Sequence, residues 1–414
     1  MNAMNDKEAP HEQSRPSSGV EQQWKSLMMS NYGAPSIRLT RGSGSRVWDD
    51  QGTEYIDLIA GIAVNALGHA DPRITEAVTQ QLSTLGHVSN LFATDPGLEL
   101  AARLIEMTGW GESTRVFFCN SGTEAIEAAF KMARLTGRTE MVVAQSGFHG
   151  RTMGALALTA QPTKQDPFRP LPGEVTVVPY GDVDALRAVV TEATAAIVLE
   201  PIQGEGGVIA APAGYLAAAR EFADLSGALL ILDEVQSGIG RTGAWFGHQH
   251  PSLGPVIPDL ITVAKGLGGG IPIGAVVAHG RAAALFTPGS HGSTFGGNPM
   301  SAAASLAVLS AISDDNLMAN AERVHIRFAT ELPPRSHGVV TSIRGLGLLM
   351  AAELSGVPSS SMEPALRAAG ILANAVSPDA IRMAPALNIT DDEVDDALDR
   401  WERACIAVTE VKAS

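Results

Sequence analysis

An α/β architecture is predicted for this chain: a large domain built on a mostly parallel sheet covered by helices, then a smaller α+β domain. Three observations predict it. From Asp71 to Ser290, short apolar β-rich runs alternate with amphipathic stretches of helical period, the pattern of a parallel sheet covered by helices. The chemically suggestive side chains fall just after those runs, where open α/β sheets bind ligands. After Gly297 the texture changes, and an Ala-rich helix over Pro299 to Ile312 leads into a mixed tail.

Residues 1 to 22 are rich in Ser, Pro, Glu and Gln and read as a disordered tail. Ser45 to Leu58 reads as a small hairpin, with apolar stretches flanking an Asp-Gln-Gly turn. Strands are expected at Arg115 to Cys119, Met141 to Ala144, Ala196 to Leu199, Ala228 to Leu232, Leu260 to Ala264 and Gly274 to Ala278. Helices are expected at Thr123 to Leu135 and Tyr215 to Leu225.

The 414 residues carry a formal net charge of −15, which argues against a nucleic-acid partner, because phosphate contacts need clustered Lys and Arg. The longest apolar runs are far too short to span a bilayer, and the N-terminal stretch lacks an apolar signal core. Two cysteines, Cys119 and Cys405, make neither a disulfide framework nor a zinc knuckle. The cytosol is the expected compartment.

Lysine is scarce, with 6 among the 29 basic residues, so each position can be weighed. Lys265 follows the apolar run Leu260 to Ala264 and precedes Gly266-Leu267-Gly268-Gly269-Gly270. A loop lysine at the surface is the plain alternative. A lysine at a buried strand end is instead desolvated toward its neutral, nucleophilic form, and glycines beside it leave room for a flat ligand. Asp233 ends the run Ala228 to Leu232. It can cap a helix, ligate a metal, or keep a pyridine nitrogen protonated; no His or second Asp cluster accompanies it to favour the metal.

Asn120-Ser121-Gly122-Thr123-Glu124 sits at a strand-to-helix turn, either a plain N-cap or an anion site facing the helix dipole. Gly238 to Gly243 matches G-x-G-x-x-G, the basis of an alternative as a nicotinamide-dependent dehydrogenase. Polar residues separate it from the strand and no helix pattern follows, so it reads as a loop. Arg151 and Arg382 stand in largely uncharged surroundings, suited either to carboxylate recognition or to buried ion pairs. Phe148 fits a core position or a stacking one.

Together these motifs resemble the class III aminotransferases, within the fold-type I group of pyridoxal-phosphate enzymes, from about Tyr32 to Val394. The most specific are Pro258 to Gly270 (PDLITVAKGLGGG) and Leu232 to Gln236 with its G-x-G-R-T-G sequel. Within the class the chain is most similar to the acetylornithine aminotransferases. The segments carrying that likeness are Gly61 to His69 (GIAVNALGH), His87 to Asn90 (HVSN), Phe148 to Thr152 (FHGRT), Glu200 to Val208 (EPIQGEGGV), His291 to Pro299 (HGSTFGGNP) and Arg382 to Asn388 (RMAPALN). Ornithine, 4-aminobutyrate and succinyldiaminopimelate aminotransferases share the chemistry. In one departure, the phosphate-loop helix opens Thr123-Glu124-Ala125-Ile126, where the family often has Ala first and Asn last.

The resemblance implies a sheet of the seven-stranded type in a cofactor-binding domain over residues 71–300, and a small domain over 301–414. Residues 23–70 would pack with the small domain. It implies pyridoxal 5'-phosphate as cofactor, an amino acid and 2-oxoglutarate as small-molecule substrates, and a homodimer with shared active sites. Lys265 would be the Schiff-base lysine and proton carrier, and Asp233 would hold the pyridinium. Gln236 would meet the ring hydroxyl and Phe148 would stack on the ring. Ser121, Gly122, Thr123, Glu234 and Val235 would complete the cofactor site, with Thr294 from the partner subunit at the phosphate. Arg151, with Ser293 nearby, would bind a substrate carboxylate, and Asn90 would line the substrate side. Arg382 would take the α-carboxylate of glutamate, and Glu205 would pair with Arg382 when the other substrate is bound.

Overall fold

The computed structural model describes residues 19–413, with side chains through residue 410. Residues 1–18 of the expected tail lie outside the described residues. Residues 19–22, expected in that tail, instead open a helix over Gly19–Leu27. Val20, Trp24 and Leu27 recur at helical spacing and line a shallow apolar pocket with Pro35 and Ile37, a periodicity that composition alone conceals.

Seven strands form the central sheet: β1 (Arg115–Cys119), β2 (Glu140–Ala144), β3 (Glu174–Val178), β4 (Thr194–Leu199), β5 (Leu229–Asp233), β6 (Leu260–Val263) and β7 (Gly274–Ala278). Their spatial order is β1-β7-β6-β5-β4-β2-β3. All run parallel except β7, which is antiparallel to both neighbours. Each expected strand is present, and β3 is an additional one. It lies at the sheet edge with Glu174, Thr176 and Val177 exposed, so it lacks the apolar run that marks a central strand.

Those runs are apolar throughout because both faces of the sheet are covered. Val142, Ile197, Leu230, Leu232 and Ile261 enter one core. Met141, Val143, Ala196, Val198, Leu229 and Ile231 enter the other, on the opposite face, as the two-residue side-chain period requires. Each fully buried Leu or Ile contributes roughly 1.5–3 kcal/mol.

A second, antiparallel sheet lies toward the C-terminus: Val340–Leu346, Leu349–Leu354, Ala380–Met383 and Asn374–Ser377, in that spatial order. The expected hairpin is present as Arg46–Asp49 and Glu54–Asp57, extended by Leu39–Ser43. Glu54–Asp57 also pairs in parallel with Ile371–Leu372, far along the chain. Helix Pro299–Asp314 packs on Pro72–Thr84 and Asp95–Thr108.

This arrangement matters for one reason. Asn120, Gln145, Glu200 and Lys265 follow the carboxyl ends of parallel strands and Asp233 ends one, and those ends share one edge of the sheet.

Candidate active site

A cavity of about 430 Å³ opens at that edge, within the range of small-ligand sites. Lys265 leaves β6 at φ +44, a left-handed conformation that costs a non-glycine residue free energy and persists where surrounding structure enforces it. Its side chain lines the cavity. Burial, reinforced by the Arg382 guanidinium, lowers the amine to about 8. A lysine there is partly neutral near physiological pH and therefore nucleophilic.

Asp233, 5% exposed, ends β5. Its carboxylate accepts from His149 Nδ1 at 2.7 Å, Val235 N at 3.0 Å and Thr262 Oγ1 at 3.1 Å. A carboxylate has about four lone-pair sites, so one acceptor position remains, on Oδ2. Burial works against a charged His149, but its hydrogen bond to Asp233 together with the charges of Asp233 and Glu200 outweighs it and raises the imidazole. Glu200 is also buried beside them. It accepts from Phe148 N at 2.9 Å and Gly204 N at 3.2 Å, and burial pushes its carboxyl up to about 7 despite the His149 charge.

The helix Gly122–Arg134 starts at the cavity wall. Ser121 is its N-cap, with Oγ accepting from Glu124 N at 3.3 Å, and Ser121, Gly122 and Thr123 line the cavity. A Cβ on Gly122 would lie 2.7 Å from Val235 Cγ1; only glycine lets the turn sit against the β5 loop. Three full turns of helix direct their positive end and unpaired N–H groups into the site.

Arg151 stands beside this helix start, since Thr152 Oγ1 lies 2.8 Å from Thr123 Oγ1. Arg151 and Phe148 line the cavity, with the guanidinium 5.7 Å from the ring centroid. Arg382, 1% exposed, directs Nη1 to Glu205 Oε1 at 2.6 Å, Gln236 Oε1 at 3.1 Å and Gly204 O at 3.2 Å. Asn374 Oδ1 accepts from its Nε at 3.1 Å. Burial would raise the Glu205 carboxyl, but Arg382 outweighs it and holds the group below the usual range.

Most of the expected site residues therefore converge: Ser121, Gly122, Thr123, Phe148, Arg151, Glu205, Asp233, Val235, Gln236 and Lys265 all line the cavity, and Arg382 backs Glu205 and Gln236. Glu234 does not. Its carboxylate points away, accepting from Gly247 N and His248 N, each at 2.8 Å, and from His248 Nδ1 at 2.9 Å, because successive residues at a strand end face opposite ways. Asn90, Ser293 and Thr294 also lie outside the cavity lining. Asn90 Nδ2 donates to Gly296 O at 2.8 Å, and Ser293 Oγ accepts from Asn120 Nδ2 at 3.0 Å. His149 and Glu200 carry no role in the sequence reading, although both stand in quoted motifs; their signal was a titratable side chain among apolar neighbours.

Gly238 to Gly243 forms turns with no α-helix after it, so the dinucleotide reading has no structural basis. Its Arg241 is buried and donates to the Leu348 and Pro385 carbonyls, tying the loop to the C-terminal part of the chain.

The residues fit pyridoxal 5'-phosphate. A helix N-terminus suits the phosphate, the Lys265 amine suits the aldehyde, the free acceptor position on Asp233 suits a pyridinium N–H, and Phe148 offers a flat face.

The comparisons agree. The family model for "Aminotransferase class-III" matches residues 28–405. Acetylornithine aminotransferase of Mycobacterium tuberculosis is 56% identical over 376 residues, covering 91% of this chain and 93% of that protein. The Streptomyces coelicolor protein of the same name is 54% identical, covering 91% and 92%. Among solved structures, N-acetylornithine aminotransferase from Stenotrophomonas maltophilia has TM-score 0.79 at 37% identity, covering 92% of this chain and 99% of that one. Ornithine aminotransferase from Toxoplasma gondii, whose active site holds the cofactor at partial occupancy, has TM-score 0.88 at 32% identity, covering 95% of each chain. The chain belongs to the class III aminotransferases and is a pyridoxal-phosphate-dependent enzyme.

Proposed function

We propose that this enzyme moves the δ-amino group of N-acetylornithine to 2-oxoglutarate, yielding N-acetylglutamate 5-semialdehyde and glutamate, a step of arginine biosynthesis. The observation that carries this reading is the Arg382–Glu205 pair at 2.6 Å, in a site that also holds Arg151. One site must present a terminal amine from one substrate and an α-amine from the other to the same carbon. With Glu205 on Arg382, the only uncovered guanidinium among the cavity-lining residues is Arg151, which then takes the carboxylate of the acylated donor. With Glu205 displaced, Arg382 takes the α-carboxylate of glutamate in a bidentate pair. The relatives named for acetylornithine support the assignment.

Pyridoxal 5'-phosphate, when bound, supplies the aldehyde that captures the amine and a ring that accepts an electron pair. The chain supplies the rest. Lys265 Nζ would take the proton from the amine-bearing carbon and deliver it to the cofactor carbon that carried the aldehyde, a role its partly neutral amine permits. Asp233, oriented by His149, would hold a proton at the ring nitrogen. Gln236 would meet the ring hydroxyl, Phe148 would cover the ring, and Ser121, Gly122 and Thr123 would hold the phosphate.

The same reading makes the enzyme a cytosolic homodimer, with Thr294, exposed and outside its own cavity, serving the partner's site beside Ser293 and Asn90. Cys119 and Cys405 are free and buried, which suits a reducing compartment. Residues 71–300 then form the cofactor domain and 301–414 the small one. Residues 23–70 lie with the small one, as the Glu54–Asp57 pairing to Ile371–Leu372 supports.

Single-turnover spectra of the purified enzyme test the substrate. Mixed separately with N-acetylornithine, ornithine and 4-aminobutyrate, it should lose its yellow absorbance fastest with N-acetylornithine, and 2-oxoglutarate should restore it. Faster loss with another donor replaces the substrate and keeps the mechanism. Glu205→Ala should slow the N-acetylornithine half-reaction more than the glutamate one; equal losses in both would sink the switch.

A further inference from the structure

The segment that carries Glu205 is gripped twice by the C-terminal sheet. Arg344 lies on Val340–Leu346 and Arg382 on Ala380–Met383. In the register of the sheet, Arg344 stands opposite Ala351, and Ala351 stands opposite Arg382. The two arginines therefore occupy one cross-strand row and leave the same face of the sheet. Both reach the turn between Gln203 and Ile209. Arg382 Nη1 holds Gly204 O and the Glu205 carboxylate, and Arg344 Nε donates to Gly207 O at 2.8 Å.

The two grips differ in kind. Arg382 holds a carboxylate that a substrate carboxylate can replace. Arg344 holds a backbone carbonyl that no substrate reaches, and its own guanidinium is fixed by Glu353 at 2.5 Å. Next to the Arg344 grip the backbone is strained: the buried Val208 has φ +59, a region a β-branched residue enters only when its surroundings impose it.

We propose that Arg344 is the fixed anchor of the Glu205 switch: it pins the Gly204–Val208 turn through Gly207, so that displacement from Arg382 moves the Glu205 side chain alone. Arg344 is thus a positioning residue that sets the balance between the two half-reactions, and it touches neither substrate nor cofactor. Without it the strained turn relaxes, Glu205 covers Arg382 less well, and the N-acetylornithine half-reaction suffers while the glutamate one does not. The inference rests on the Glu205 switch proposed above.

The test measures both single-turnover rates in Arg344→Met and Arg344→Lys, each in the wild-type and Glu205→Gln backgrounds, on holoenzyme. Arg344→Met should lower the ratio of N-acetylornithine to glutamate rates by at least about 5-fold, the scale of a lost charge-assisted hydrogen bond. Arg344→Lys, which keeps one cationic donor, should recover most of that ratio. In the Glu205→Gln background, Arg344→Met should leave the ratio unchanged, because the switch it serves is gone. Equal loss of both rates in Arg344→Met, or an undiminished effect in the Glu205→Gln background, overturns the anchor role while leaving the switch standing. A Glu205→Gln enzyme with an unaltered ratio overturns the switch itself, and the anchor with it. Should Arg344→Met not fold, a wild-type ratio in Arg344→Lys supports the anchor and a ratio lowered about 5-fold or more overturns it.

Discussion

The Lys265 amine titrates at about 8, against 10.5 for an ordinary lysine, because the cavity withholds water from its charged form and Arg382 adds a like charge. In the cofactor-free enzyme the labelling rate of Lys265 by an amine-directed reagent, followed by peptide mass spectrometry, should therefore rise with pH and reach half its maximum near pH 8. A Lys265 midpoint above about pH 10, in the range of an unburied lysine, would show that water reaches the amine. Both this lysine and Asp233 were legible in the sequence, since each ends a long apolar run and so had to sit at a strand end. The roles of His149 and Glu200 were not, because each acts through groups brought from other strands, and the sequence marked each only as a titratable side chain among apolar neighbours. The direction of the Glu234 side chain was not legible either: it adjoins Asp233 in the sequence, but its carboxylate leaves the opposite side of the strand and anchors the Gly247–His248 turn.

At the scale of elements, the antiparallel strand β7 and the N-terminus of helix Gly122–Arg134 meet at a backbone-to-backbone approach. A Cβ on Gly274 would lie 2.5 Å from the Ser121 carbonyl oxygen and 3.0 Å from Cys119 Sγ. Neither neighbour yields cheaply, since one is the backbone of the N-cap and the other belongs to the paired strand β1. Gly274→Ala should cost about 1–3 kcal/mol, as overpacking does. It should also shift the N-cap, so that the variant loses cofactor on dialysis faster than the wild type. A melt and a dialysis curve both matching the wild type would mean the approach is looser than the geometry gives. The direction of β7 was not legible, because Gly-Ala-Val-Val-Ala reads the same for either orientation; only the register against β1 and β6 distinguishes them. The parallel strands were legible because burial on both faces demands unbroken apolar runs, and β3 escaped notice because an edge strand does not.

At the scale of the whole molecule, three of the site residues that miss their own cavity, Asn90, Ser293 and Thr294, share one region of surface. Asn90 holds Gly296 O, and the His87 ring lies 5.1 Å from that of Phe295, so the 87–92 and 293–298 segments form one patch. Leu91 is 84% exposed, Phe92 70% and Phe295 60%, an apolar patch of the kind that marks an interaction surface. Thr294 lies within it. If this face joins two copies, each site needs a residue from both, and two different defects must complement. Lys265→Ala and Thr294→Glu homodimers should each be inactive, the first without its amine and the second with a carboxylate set against the phosphate. Unfolded together and refolded as a mixture, they should regain activity, since the mixed dimer assembles one site with the Lys265 of one chain and the Thr294 of the other. Adding Phe92→Glu to both chains should abolish that recovery and give a monomer by sedimentation. Recovery of activity without a dimer, or a dimer without recovery, would place Thr294 outside the active site. The sequence announced the loop motifs involved, but whether they face inward or outward depends on how the sheet edge is built, and that is a property of the assembled fold.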